Sequence, residues 1–171
     1  MHEALYYHHE KNSIICDLCP HNCKINPGDT GLCHVRLNKQ HKLYSLNYGM
    51  CSTLSIDPIE KKPLYKFFPQ HNILSIGSWG CNLKCKFCQN YEISQKSPSV
   101  KYISSDTITK IALASGDNNL GLAFTYSEPL VCYEYVYDTA VMVHNTKLKT
   151  VLVTNGFLNS IPFKNLIKLF D

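Results

Sequence analysis

Apolar and polar positions alternate with two different periods, and the change from one to the other divides the chain. From Lys42 to Tyr48 the residues Tyr44, Leu46 and Tyr48 alternate with Leu43, Ser45 and Asn47, the period of a strand or hairpin arm. From Ile73 onward strand-like and helix-like runs take turns. Residues 73–79 read as a strand and 105–115 as a helix that starts at Ser105 and Asp106 and carries Ile108, Ile111 and Ala112 on one face. Residues 120–126 read as a second strand. Residues 133–144 read as a helix with Tyr133, Val136, Tyr137, Ala140 and Val141 at helical spacing. A β-branched strand at 150–154 precedes a third helix, in which Phe163, Leu166, Ile167 and Phe170 follow Ser160 and Pro162.

Three βα units in succession predict an α/β fold with a parallel sheet and right-handed crossovers. Upstream, Pro58, Pro63 and Pro69 fall within residues 57–69, which excludes a central strand or an uninterrupted helix. The expected organisation is a Cys-rich module over 1–56, a Pro-rich connector over 57–72 and the main α/β domain over 73–171. In the connector, Glu60, Lys61 and Lys62 read as a solvated charge cluster, with substrate contact as the alternative. Residues 1–13, despite His2, His8 and His9, read as a solvated and partly frayed terminus. Cys51, Cys132 and Trp79 read as packing residues.

Composition adds that the chain can bury a core: 171 residues are 44% hydrophobic and 18% charged. The net charge of +4 is spread along the sequence, short of a nucleic-acid footprint, so no nucleic-acid partner is expected. The first residues lack a signal-peptide apolar core and no run reaches membrane-spanning length, so a cytoplasmic protein with no membrane partner is expected. In that compartment the nine cysteines read as metal or redox ligands rather than disulfides.

Seven of them form two groups. Cys16, Cys19, Cys23 and Cys33 have the spacing C-x2-C-x3-C-x9-C, and the Pro27-Gly28 turn doubles the chain back so that four thiols can reach one centre. Zinc and an auxiliary Fe–S cluster fit equally, and His21 or His34 could replace a cysteine. Such a site would staple a module too short to build its own core. Cys81, Cys85 and Cys88, spaced C-x3-C-x2-C, are an odd set, because a closed zinc or [4Fe–4S] site takes four protein ligands. A four-iron cluster held by three cysteines leaves one iron open to a paired amine and carboxylate, such as the methionine end of S-adenosylmethionine. The alternative is a zinc site completed by a distant ligand.

Ligands of parallel α/β sheets bind beyond the carboxyl ends of the strands. The cysteine loop follows the first strand, and residues 80–104 are far longer than the usual βα loop of about 2–6 residues. Residues 125–129 end the second strand and 154–157 follow the third, so all three stretches fall on one rim. Glu128 is then the natural acceptor for the ammonium of S-adenosylmethionine. Asn155 is a further cofactor contact.

The segment Cys81-Asn82-Leu83-Lys84-Cys85-Lys86-Phe87-Cys88 resembles the signature of the radical S-adenosylmethionine (radical SAM) superfamily. The resemblance implies a partial (β/α)6 barrel, of which this chain carries about three βα units. It also implies a [4Fe–4S] cluster on Cys81, Cys85 and Cys88, and Phe87 against the adenine. Glu128 resembles the last residue of the family's G-G-E motif, with Tyr126 and Ser127 in place of the glycines, and Ser127 joins the cofactor-contact candidates. The whole pattern is similar to the radical SAM component of the AmmeMemoRadiSam system, a relative of pyruvate formate-lyase activating enzymes. It rests on the Cys16 to Arg36 module ending G-x-x-G-x-C-x-x-R, on Asp57-Pro58-Ile59-Glu60-Lys61-Lys62-Pro63, on Ser75-Ile76-Gly77 and on residues 125–129.

The implied activity is reductive cleavage of S-adenosylmethionine to a 5′-deoxyadenosyl radical that abstracts hydrogen from an unassigned substrate. The implied partners are a reductant such as flavodoxin or ferredoxin and the proteins of the AmmeMemoRadiSam system. A glycyl-radical activating enzyme is one alternative, weakened because Val153 stands where those enzymes carry an acid. A non-catalytic zinc or Fe–S module is another. Only half of a barrel fits before Asp171, so a C-terminally truncated, incomplete fragment is expected, with an open strand edge and an uncovered apolar face.

Overall fold

Alternation in the first third of the chain becomes a set of short antiparallel strands in the computed structural model, which describes residues 1–171. β1 (His2–Glu3), β2 (Tyr7–Glu10), β3 (Ser13–Cys16), β4 (Lys24–Ile25), β5 (Arg36–Lys39) and β6 (Lys42–Ser45) form two three-stranded sheets, ordered β2-β3-β4 and β1-β6-β5. Residues 1–13 are therefore not frayed. β1 pairs with β6, β2 pairs with β3, and the buried Ala4 donates its N–H to Leu43 O at 2.7 Å. Of these strands β6 falls in the run 42–48 whose alternation is readable, whereas the others are too short to show a period and are fixed by their partners.

β7 (Met50–Cys51) leads into β8 (Thr53–Pro58), which lies antiparallel to β9 (Asn72–Gly77) from the pair Thr53↔Gly77 to the pair Pro58↔Asn72. The boundary expected between residues 56 and 57 falls inside β8, and the start of the connector is an edge strand of the main sheet. The proline argument still holds in its positional form: Pro58 is the last residue of an outermost strand, where no donor is missed.

The cysteine loop after β9 contains α1 (Tyr91–Ser94) and β10 (Lys101–Tyr102), which pairs with β7. α2 (Ser105–Ala114) is capped by Ser104, whose Oγ accepts from Thr107 N. β11 (Asn119–Phe124), α3 (Tyr133–His144), β12 (Lys149–Leu152) and α4 (Ser160–Leu166) complete the chain. The expected βα alternation is borne out: β9, β11 and β12 are parallel and the open sheet is ordered β12-β11-β9-β8. On α3 the buried face is Tyr133, Val136, Ala140 and Val143, while Tyr137 turns to solvent. At the β12 edge Thr150 O accepts from Asp171 N and Thr150 N donates to Asp171 Oδ2, so part of the expected open edge is paired. No helix is long and apolar enough to cross a membrane.

The N-terminal sheets do not carry a separate core. A single cluster joins Ala4, Ile14, Leu18, Ile25 and Leu43 to Leu74, Leu122, Phe124 and Tyr133. Across the same junction the buried Arg36 Nη1 donates to Glu134 Oε1 at 2.7 Å, and Tyr48 OH donates to Asp138 Oδ2 at 2.6 Å. Burial disfavours the Arg36 charge, but the Glu134 carboxylate together with the nearby Cys16 and Cys33 outweighs it and raises the guanidinium pKa. The cysteine module and the parallel sheet are thus packed as one body.

Candidate functional site

Alternation along the strands sends Leu74, Ile76, Leu122 and Phe124 into the main core and leaves Ile73, Ala123 and Val151 in a second cluster on the other face. Asp57 pairs with Ile73 and shares that second face. At the carboxyl ends of β9, β11 and β12 this face opens into a cavity of about 610 Å3. Its walls are Cys81, Cys85 and Cys88 after β9, residues 125–128 after β11, Val153 to Asn155 after β12, and Asp57, Lys61 and Lys62 from the β8 side. The three rim stretches predicted from the sequence do converge.

Cys81 and Cys88 are half-buried and Cys85 is exposed. Cys81 Sγ accepts from Leu83 N at 3.4 Å and lies 3.9 Å from Asn155 Nδ2, and Cys88 Sγ is 3.3 Å from Ser94 Oγ. Gly80, just before the first cysteine, has φ +88°, and a Cβ there would sit 2.6 Å from Val35 Cγ1 and 2.8 Å from Cys33 O. Only glycine lets the loop lie this close to the N-terminal module. Asn82 ties the rim together. It donates to Phe157 O at 2.8 Å, accepts from Asn155 Nδ2 at 2.9 Å, and offers its backbone carbonyl to His21 Nε2 at 2.7 Å. Phe87 is not brought to the site: it is 90% exposed and does not line the cavity.

Glu128 is 4% exposed and holds two loops at once. Its Oε1 accepts from Leu130 N at 2.9 Å and from Thr154 Oγ1 at 2.6 Å, and its Oε2 accepts from Asn155 N at 2.8 Å. Burial pushes the carboxyl above its ordinary range against the pull of these donors. Beside it, Ser127 Oγ is buried without a partner and lines the cavity. Tyr126 has φ +71°, so the backbone keeps the left-handed turn suited to glycine although a bulky residue stands there. Its hydroxyl, which donates to Asp57 Oδ2 at 2.6 Å, holds that turn in place.

Asp57 also accepts from Lys62 Nζ at 2.8 Å and Lys61 Nζ at 3.1 Å. Lys62, expected in a solvated cluster, has a side chain only 4% exposed, while Lys61 is 64% exposed as expected. Burial raises the Asp57 carboxyl, but hydrogen bonds from Lys62, Tyr126 and Lys61 outweigh it and hold it well below the usual carboxylate range. Such a group adds stability above its unfolded pKa of about 3.9, and the gain is lost as pH falls through the folded value. The melting temperature is therefore expected to fall more steeply in the wild type than in Asp57→Asn from about pH 4 down to about pH 2, with equal slopes above that window. Equal slopes within it would remove Asp57 as a source of acid sensitivity.

The sequence compares directly with known proteins at this point. Residues 76–171, which include the cysteine loop, Glu128 and Asn155, match the Radical SAM superfamily. The chain belongs to the radical SAM superfamily. It is also 38% identical over 170 residues to an uncharacterized protein of Methanocaldococcus jannaschii, an alignment that covers 97% of this chain. The chain spans about half the length of that curated relative, 50% of which is aligned.

The radical SAM segment begins inside β9 and leaves the N-terminal cysteines outside it. Cys16, Cys19, Cys23 and Cys33 line a separate small cavity with Arg36, His21 and Asn82. Burial pushes the Cys16 thiol up to about 12 and raises Cys33 and Cys19 as well. No three His, Cys, Asp or Glu side chains in the structure converge tightly enough for a single metal ion.

Sequence reasoning missed Asp57, Tyr126, Asn82, Asn90 and Ser94 as parts of the site and gave Lys62 a place there only as the alternative to a solvated cluster. Asn90 Nδ2 donates to Tyr126 O at 2.8 Å and so fixes the turn before Glu128. The signal for Asn82 and Asn90 was close at hand, because Asn82 stands within the cysteine motif and Asn90 two residues beyond its last cysteine.

Proposed function

We propose that this chain is the cofactor-binding part of a radical SAM enzyme, with Cys81, Cys85 and Cys88 on a [4Fe–4S] cluster and S-adenosylmethionine in the adjoining cavity. The observation that carries the reading is that the three cysteines share one cavity with Glu128, Ser127 and Asn155 at the ends of three parallel strands. The donor set fits the group: three thiols leave one position of a four-ligand cluster without a protein ligand. When bound, cluster and cofactor supply the chemistry, in which an electron from the cluster cleaves S-adenosylmethionine to a 5′-deoxyadenosyl radical that abstracts hydrogen from the substrate.

The residues of the chain bind and orient. A carboxylate offers about four acceptor positions, and Glu128 uses three, so Oε2 keeps one for an ammonium group. Ser127 lines the cavity beside Glu128, and its Oγ is buried there without a partner. Asn155 stands between Cys81 and Asn82 and holds the cofactor side of the rim. Val153 lines the cavity where glycyl-radical activators carry an acid, and its apolar side chain favours a substrate other than a partner's glycine. The electron would come from a small reductant of the flavodoxin or ferredoxin class, and proteins of the AmmeMemoRadiSam system are the proposed partners in a cytoplasmic setting.

The test is anaerobic reconstitution with iron and sulfide followed by electron paramagnetic resonance of the reduced protein. A [4Fe–4S]+ signal that changes on adding S-adenosylmethionine is expected, with 5′-deoxyadenosine as product. A reconstituted signal that S-adenosylmethionine leaves unaltered would overturn the reading.

A further inference from the structure

A second centre lies directly behind the cysteine loop. Cys16 and Cys33 are buried, Cys19 and Cys23 half-buried, and all four line one cavity with room for about 10 Å3, the space of a single water. Arg36 lines the same cavity and is 1% exposed. Its Nη1 donates to Glu134, but Nε and Nη2 have no hydrogen-bond partner. Two donors of a buried guanidinium left unpaired are costly, and the groups that share their cavity are thiols. Thiols are poor acceptors, whereas thiolates bound to a metal are good ones.

We infer that Cys16, Cys19, Cys23 and Cys33 bind one structural zinc ion, that Arg36 donates to its thiolates, and that this ion braces the radical SAM cysteine loop from behind. Four protein sulfurs make the closed coordination typical of structural zinc, and a single ion asks for less widening of a cavity this small than a four-iron cluster would. Binding Zn2+ releases four thiol protons to solvent and leaves a centre of charge −2, which the Arg36 guanidinium faces. The sulfurs are not preassembled into an ion cage, so the metal draws them in as the protons leave. The brace runs through His21, between Cys19 and Cys23, whose Nε2 is 2.7 Å from the backbone O of Asn82. Asn82 adjoins Cys81 and lines the zinc cavity itself. Nothing in this inference depends on what the Cys81 set binds.

The test is metal analysis and zinc K-edge X-ray absorption on the full chain as purified. About one zinc per chain with a four-sulfur shell is expected, retained when Cys81, Cys85 and Cys88 are all replaced by alanine and lost in Cys19→Ser. Arg36→Lys keeps the positive charge but loses the fork, and is expected to weaken zinc retention against a competing chelator by about 10–100-fold. Iron in place of zinc in the triple alanine variant would overturn the inference. So would a metal-free chain whose four N-terminal thiols are alkylated under native conditions, or wild-type zinc retention in Arg36→Lys.

Discussion

Replacing Cys85 by alanine is expected to abolish S-adenosylmethionine cleavage while leaving the fold intact. Cys85 is exposed, and its thiol makes no hydrogen bond within the chain. A surface change of this kind shifts stability by no more than about 0.5 kcal/mol. The same side chain is one of only three thiols beside the cavity, and two ligands do not hold a four-iron cluster in place. The expected result is loss of the cluster signal and a fall of 5′-deoxyadenosine formation to the level of the protein without a cluster, with an unchanged melting curve. Cys81→Ala would be a less clean probe, since Cys81 Sγ accepts from Leu83 N and lies near Asn155 Nδ2. Cleavage that survives in Cys85→Ala would remove this loop from the chemistry.

The second large effect is on stability. Glu134→Ala removes the carboxylate that pairs with the buried Arg36 at the junction of the N-terminal sheets and α3. Breaking a buried pair on one side costs about 3–5 kcal/mol, because the remaining charge stays desolvated. Glu134 Oε1 also accepts from Leu5 N at 2.8 Å, so the alanine frees a backbone donor as well. Glu134→Gln keeps an acceptor for both donors and should cost less. The two variants are to be compared by urea unfolding. A loss below about 1 kcal/mol in Glu134→Ala would show that the pair contributes little to joining the two regions.

How far each part of this protein was legible depended on the distance over which its signal was written. β9, β11, β12, α2 and α3 fall within a few residues of the runs that announced them, because a helix or strand packed on one core face must repeat its apolar residues at its own period. The three rim stretches follow from that order, since parallel strands put all their carboxyl ends on one side. The cysteine spacing and Glu128 were equally local.

Other features were not. Lys62 reads in sequence like its neighbour Lys61, and only the pairing of β8 with β9 places Asp57 where it draws one lysine inward and leaves the other outside. Phe87 satisfies the motif, yet it is 90% exposed and lies outside the cavity. Arg36 and Glu134 are 98 residues apart, and no window along the chain connects them.

The sequence by itself determined the alternation of strands and helices, the rim on which its chemistry gathers and the two sets of thiols, because hydrophobic period and ligand spacing are properties of neighbours. Only the tertiary structure decided that the cysteine module shares its core with the parallel sheet, that Asp57, Lys62 and Tyr126 form one wall of the cavity, and that Arg36 lines the cavity of the N-terminal thiols with two donors unpaired. Burial and pairing belong to groups brought together from distant parts of the chain. Whether a charge meets water or a partner is settled by packing rather than by the residue that carries it.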